Sequence, residues 1–150
     1  MALIFSGGLS ASDLTFVFVG VFVVFVSILI HETGHALAMT HYGRSARIVL
    51  TGFGGYATSD HGALSAGSQR RLSPYQDIVI SAAGPVAGFL VAAIGYLLVV
   101  AARGSAELIW SLPFPYVQVD VVGTPFDSEI ASVFIRMLLH VNIVWGLLNL

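Results

Sequence analysis

Three residues with the chemistry of a metal-dependent hydrolase lie together at the end of a long apolar stretch. His31, Glu32 and His35 form the pattern His-Glu-Thr-Gly-His. On a helix, histidines four positions apart are separated by about 400° of rotation, so both imidazoles project from one face and can bind a single zinc ion. Glu32 lies about 100° from His31, where its carboxylate can accept a proton from a metal-activated water. The pattern predicts a zinc peptidase with His31 and His35 as ligands and Glu32 as general base.

The alternative is that these are two interfacial histidines and a glutamate that extends to water. Ionisable groups inside apolar helices are costly and usually functional. Here three of them occur at the spacing of a metal site, so we favour the catalytic interpretation.

The composition predicts that lipid surrounds most of the chain. Of the residues, 57% are hydrophobic and only 9% are charged, against roughly 25% charged in soluble proteins. The formal net charge is −2 and every basic residue is arginine; without a basic cluster, nothing indicates a nucleic-acid partner. Cysteine is absent, so a metal site must use histidine, carboxylate or backbone oxygen.

A long first helix must carry the motif. The apolar run Leu14–Ile30 continues into it, and no helix breaker occurs before Gly43. We predict a helix from Ser12 to Tyr42, about 45 Å long against a hydrocarbon core of ~30 Å. His31 would then lie about 25 Å from the outer edge, close to the opposite interface.

Two further segments are long and apolar enough to cross a membrane. Ser73 to Gln76 has the residues of a capping box, with a proline at the first helical position, and Ile78–Ala102 follows as a second span. Ile130–Leu150 forms a third, and the connector Ser105–Ser128 is interpreted as an interfacial segment. We therefore expect an all-α polytopic membrane protein, with residues 1–150 forming a single transmembrane peptidase core.

A small β-hairpin is predicted between the first and second spans. Its strands are Ala46–Thr51 and Tyr56–Ser59, joined through a glycine-rich turn. Gly54 and Gly55 can bind an extended substrate as an added strand. The alternative, which we favour slightly, is a surface loop that only covers the site.

Gly84 and Pro85 interrupt the second span. Proline removes a backbone donor and disfavours helix at the residue before it. This backbone can border the active site and bind substrate, but a packing kink explains it equally well. Small residues that let another helix approach closely lie around it: Ala83, Ala87 and Gly88.

Other candidates for a third zinc ligand are less well placed. His140 would lie roughly 10 Å short of the level of His31, so we expect it to make a polar contact between helices. His41 is about 240° round the helix from His35. Two residues of the first connector remain open as less favoured ligands: Asp60 and His61.

The order of the motifs resembles the site-2 protease family of intramembrane zinc metalloproteases, peptidase family M50. The resemblance rests on HETGHALAMTHYG, FGGYA, SAAGP and a final WGLLNL, and covers most of the chain from Ser27 to Leu150. It implies that His31 and His35 bind zinc and that Glu32 is the catalytic acid/base. It also implies that the substrate is a transmembrane segment of another membrane protein.

Two features depart from that family's pattern. The family usually has asparagine three residues after the Gly-Pro proline, where this chain has Gly88. Any polar contact made by that asparagine is therefore absent here or supplied by another residue. The family's third ligand is an aspartate expected just after Leu150. We therefore expect a C-terminally truncated chain that is impaired as a protease on its own, because a catalytic zinc normally has three protein ligands.

Arginine placement predicts the orientation. The first connector carries four arginines and the second carries one, so the positive-inside rule places the first connector in the cytoplasm. The N-terminus is then outside and the active site lies near the cytoplasmic face, in what we expect to be a bacterial cell membrane. Nothing in the sequence specifies an oligomeric state.

Two other functions remain open. The chain can be a catalytically incomplete membrane protein that acts as a binding or scaffold module, or a metal transporter that uses the histidines transiently. A transporter would carry such residues along several helices, whereas the second span has only Asp77, near its end.

Overall fold

The computed structural model describes residues 11–51, 54–59, 72–109 and 116–149 of the chain. In the described part, helices and β-hairpins alternate along the chain, and the last helix is irregular. In order, the elements are α1 (Ala11–His41), β1 (Ala46–Thr51), β2 (Gly54–Ser59), α2 (Pro74–Ala101), β3 (Ser105–Ile109), β4 (Tyr116–Asp120), α3 (Glu129–His140), a π-helical segment (Val141–Trp145) and α4 (Gly146–Leu148).

Three helical stretches are long and apolar enough to cross a membrane: Asp13–His41, Pro74–Ala101 and Glu129–Leu148. Large apolar side chains on their outer faces remain exposed, among them Phe18 at 71% and Leu97 at 63%. Surfaces of this kind suit a lipid environment. The predicted architecture of three spans with a hairpin after the first is confirmed.

The start of α2 follows the predicted capping pattern. The Ser73 Oγ accepts from the Gln76 backbone N–H at 3.3 Å, and the Gln76 side chain accepts from the Ser73 backbone N–H at 2.9 Å. The helix then continues through Gly84 and Pro85 without ending, and both residues are buried.

Small residues bring α1 and α2 close together. A Cβ built on Gly34 would lie only 2.9 Å from the Ala87 Cβ and 2.9 Å from the carbonyl carbon of Ala83. Real Cβ atoms do not approach so closely, so this crossing requires glycine on α1. The small-residue face predicted around Gly84 therefore packs against α1.

The first hairpin is antiparallel, with Ala46 opposite Ser59 and Thr51 opposite Gly54. Its second strand begins at Gly54, two residues earlier than predicted. Gly54 has a φ of 150°, which glycine adopts more readily than other residues.

A second antiparallel hairpin, β3–β4, lies where the sequence predicted an interfacial segment. In β4, Val117 and Val119 are buried while their neighbours are exposed. These valines belong to an apolar core between the hairpin, α2 and α3, further along α2 than Gly84. The members of this core are Ala92, Val99, Val117, Val119, Val121, Ile135 and Leu139.

Candidate active site

The helical spacing of the motif places both imidazoles on one face of α1. The Nε2 atoms of His31 and His35 lie 3.1 Å apart, with the rings edge to face at a centroid distance of 4.8 Å. His31 is 6% exposed and Glu32 is 7% exposed. Two ring nitrogens are thus held together on α1, next to a glutamate that is also largely removed from solvent.

Backbone of α2 orients the second histidine. The Nδ1 of His35 lies 2.7 Å from the carbonyl oxygen of Ile80. Because a carbonyl only accepts, Nδ1 carries the proton and donates. In the neutral ring this leaves a lone pair on Nε2, directed toward His31, which is the tautomer that a metal-binding histidine requires.

Gly84 lies directly against His35. A Cβ at this position would overlap the imidazole ring, lying 2.6 Å from its Cε1. Pro85 is among the most deeply buried side chains of the described residues. The structure therefore brings Gly84 of α2 against the Nε2 side of the His35 ring, with Pro85 buried next to it in the chain.

The first hairpin lies over the glutamate. A Cβ at Gly55 would be 3.0 Å from the Cγ of Glu32 and 3.0 Å from a methyl group of Ile28. Gly55 and its neighbour Gly54 are both partly exposed. The hairpin thus approaches Glu32 through glycine backbone that carries no side chain.

A cavity of about 550 Å³ runs beside this hairpin along α1. Its lining is mostly apolar and ends near the motif, because Ile28 belongs both to the cavity and to the packing around Gly55. The lining residues are Gly20, Val21, Val24, Phe25, Ile28, Thr51, Gly54 and Trp145.

The model of a family described as peptidase family M50 matches residues 19–150. The chain belongs to peptidase family M50. Membership points to a metalloprotease of the site-2 protease kind and agrees with the resemblance found in the sequence. No curated protein and no solved structure matches the chain.

The M50 motif supplies two ring nitrogens, donors that suit zinc. Among the described residues, no group of three or more His, Cys, Asp or Glu side chains is arranged to hold a metal ion. Two proposed alternatives for a third ligand, Asp60 and His61, lie outside the described residues. The convergent Nε2 atoms therefore fit part of a zinc site.

The other histidines described in this M50 chain make different contacts. The Nδ1 of His140 accepts from the backbone N–H of Val117 at 3.3 Å, so this hydrogen bond joins it to the second hairpin, whereas a polar contact between helices was expected. His41 packs edge to face against Tyr42 at the end of α1.

Sequence reasoning missed one buried polar contact of this M50 chain. The Nδ2 of Asn142 donates to the Oγ of Ser27 at 2.9 Å, linking the π-helical segment to α1. Polar residues in two otherwise apolar spans were the available sign of it, but the pairing joins positions 115 residues apart.

Proposed function

We propose that this M50 chain is the peptidase core of an intramembrane zinc metalloprotease. It hydrolyses peptide bonds in or near transmembrane segments of other membrane proteins. The observation that supports this most is the 3.1 Å approach of the His31 and His35 Nε2 atoms within a helix of membrane length. Glu32 is buried on the same turn.

Zinc would be held by His31 and His35, with a third ligand from outside the described residues. When bound, zinc supplies a Lewis acid that polarises the scissile carbonyl and activates water near neutral pH. The hydrogen bond from His35 to Ile80 keeps one ligand in the required tautomer. Gly84 leaves the space that this ring occupies.

Glu32 moves the proton in this proposal. Its carboxylate accepts a proton from the attacking water and returns it to the amide nitrogen of the leaving segment. Gly55 packs close to the Glu32 Cγ, which restricts the space open to this side chain. A buried position also limits competing exchange with bulk water.

Substrate would reach the motif through the cavity beside the first hairpin. Its apolar walls match the side chains of a transmembrane segment. We propose that Gly54 and Gly55 bind the locally extended substrate through backbone hydrogen bonds. Gly84 and Pro85 would border the site from α2, with Gly84 against the Nε2 side of the His35 ring.

The protein is then an integral membrane protein whose first hairpin faces the cytoplasm. The arginines of this connector support the orientation, and Arg47 lies exposed on β1. We propose a bacterial cell membrane as its location. Lipid and a membrane-protein substrate are the partners this requires.

Replacement of Glu32 by glutamine tests the proposed reaction. Full-length Glu32→Gln protein, reconstituted with a model transmembrane substrate, should lose about 10²- to 10⁴-fold in cleavage rate while retaining its zinc. Glu107→Gln, an exposed substitution on β3, is the control and should cleave normally.

Cleavage that survives in Glu32→Gln would contradict the assigned role. Absence of cleavage by the wild-type protein, with partner binding or zinc transport intact, would instead favour the binding-module or transporter function.

A further inference from the structure

Asn142 is a buried amide at the point where the third helix becomes irregular. It is 3% exposed and lies in the π-helical segment. Its Nδ2 donates to the Ser27 Oγ and to the Leu138 carbonyl, each at 2.9 Å. Both amide hydrogens are used, so the orientation of the side chain is fixed. π-Helical turns often occur at functional sites.

The same amide lies against α2. A Cβ on Gly88 would be 3.4 Å from the Oδ1 of Asn142, so the amide oxygen packs over backbone that carries no side chain. Asn142 thus contacts α1 through Ser27 and α2 through Gly88. An amide oxygen from the third helix therefore lies beside position 88.

Ser27 connects this amide to the motif. It lies four residues before His31, and residues at this spacing share a helix face. Ser27 is 4% exposed and His31 is 6% exposed. Both line one small cavity of about 10 Å³, together with Ile28, Gly88, Val141, Asn142, Trp145 and Gly146.

We propose that Asn142 is a positioning residue for the metal ligands. By holding Ser27, it fixes the rotation of α1 about its axis and therefore the direction of the His31 imidazole toward His35. This inference rests on the proposed function, because it assumes that the histidine pair binds zinc. Asn142 itself does not touch the reacting atoms.

The test is a double-mutant cycle read by zinc affinity. Full-length wild-type, Ser27→Ala, Asn142→Ala and the double variant are purified in detergent. Competition with a chromophoric chelator then gives the Zn²⁺ dissociation constant of each. Both single variants should bind zinc about tenfold more weakly, the size of loss typical of groups that orient metal ligands. The double variant should bind zinc no more weakly than the single variant with the lower zinc affinity, since both substitutions break the same contact.

Leu139→Ala is the matched control. Leu139 is buried on the same helix at 1% exposure, but it packs in the core beside the second hairpin. This variant should lower the thermal midpoint while leaving zinc affinity unchanged. If Asn142 had only a structural role, Asn142→Ala would likewise lower the thermal midpoint and leave zinc affinity unchanged.

Three results would overturn the proposal: unchanged affinity in Asn142→Ala, additive losses in the cycle, or equal loss in Leu139→Ala. Failure of the wild-type protein to bind zinc is a separate outcome, which refutes the proposed function and this inference with it.

Discussion

Gly84 and Gly55 each face one side chain of the His-Glu-Thr-Gly-His motif, and both approach it closely because they lack a Cβ. Gly84 leaves room for the His35 ring, and Gly55 lets the hairpin approach the Cγ of Glu32. The arrangement of the site therefore depends on backbone packing as well as on its ionisable groups. A substitution as small as alanine at these positions is expected to alter the chemistry.

Gly84→Ala should weaken zinc binding by at least about tenfold, because the added methyl displaces the His35 ring from its hydrogen bond with Ile80. The measurement is the Zn²⁺ dissociation constant of the purified variant. Gly95→Ala is the control on the same helix, where the methyl meets only the ends of apolar side chains, the nearest being a Leu139 methyl at 3.2 Å. Equal zinc affinity in both variants would contradict this role for Gly84.

The histidine pair was predictable because helical geometry alone relates positions 31 and 35. The contacts of Glu32 with Gly55, and of Ser27 with Asn142, were not. Each joins residues from different elements, and a helical pattern shows which residues share a face without showing what packs on it.

At the scale of elements, the close crossing of α1 and α2 positions the motif. Gly34 belongs to the motif and meets the backbone of Ala83 on α2. The same crossing brings Ile80 within hydrogen-bonding distance of His35. Helix packing and ligand orientation are therefore coupled.

Gly34→Val should destabilise the protein by roughly 1–3 kcal/mol, because the larger side chain forces the two helices apart. Thermal unfolding in detergent measures the loss. Gly20→Ala is a control for loss of a glycine elsewhere on α1, where the added methyl meets the flexible end of Met137 at 3.0 Å. If Gly34→Val unfolds at the temperature of this control, the crossing does not depend on the glycine.

The sequence was less informative about two elements. Prolines and aromatic residues in the second connector obscured the alternation of Val117, Val119 and Val121, a period-two pattern typical of a half-buried strand. No comparable sequence pattern marks the π-helical segment. Packing and the hydrogen bonds of Asn142 accommodate its extra residue per turn, and these contacts leave no periodic signal in the sequence. The three spans and the first hairpin were predictable from hydropathy and turn residues.

At the scale of the whole molecule, exposed apolar side chains cover the membrane-length helices, and a β-hairpin follows each of the first two helices in the chain. Tyr56 is 53% exposed on the first hairpin, and Val122 is 80% exposed just after the second. The proposed orientation places these two residues on opposite sides of the membrane.

Single cysteines can test this orientation cleanly, since the chain has none of its own. In intact cells, a membrane-impermeant maleimide should label Val122→Cys and should label Tyr56→Cys only after permeabilisation. The reverse pattern would place the active site near the outer face. Labelling of both in intact cells would contradict the three-span topology.

Zinc content tests the central claim most directly. The full-length protein, purified in detergent, should contain about one zinc per chain, because the proposed site binds a single ion through the paired imidazoles. The variant with both His31→Ala and His35→Ala should contain none while keeping its helical content by circular dichroism. A wild-type protein without zinc, or a double variant that retains it fully, would contradict the account.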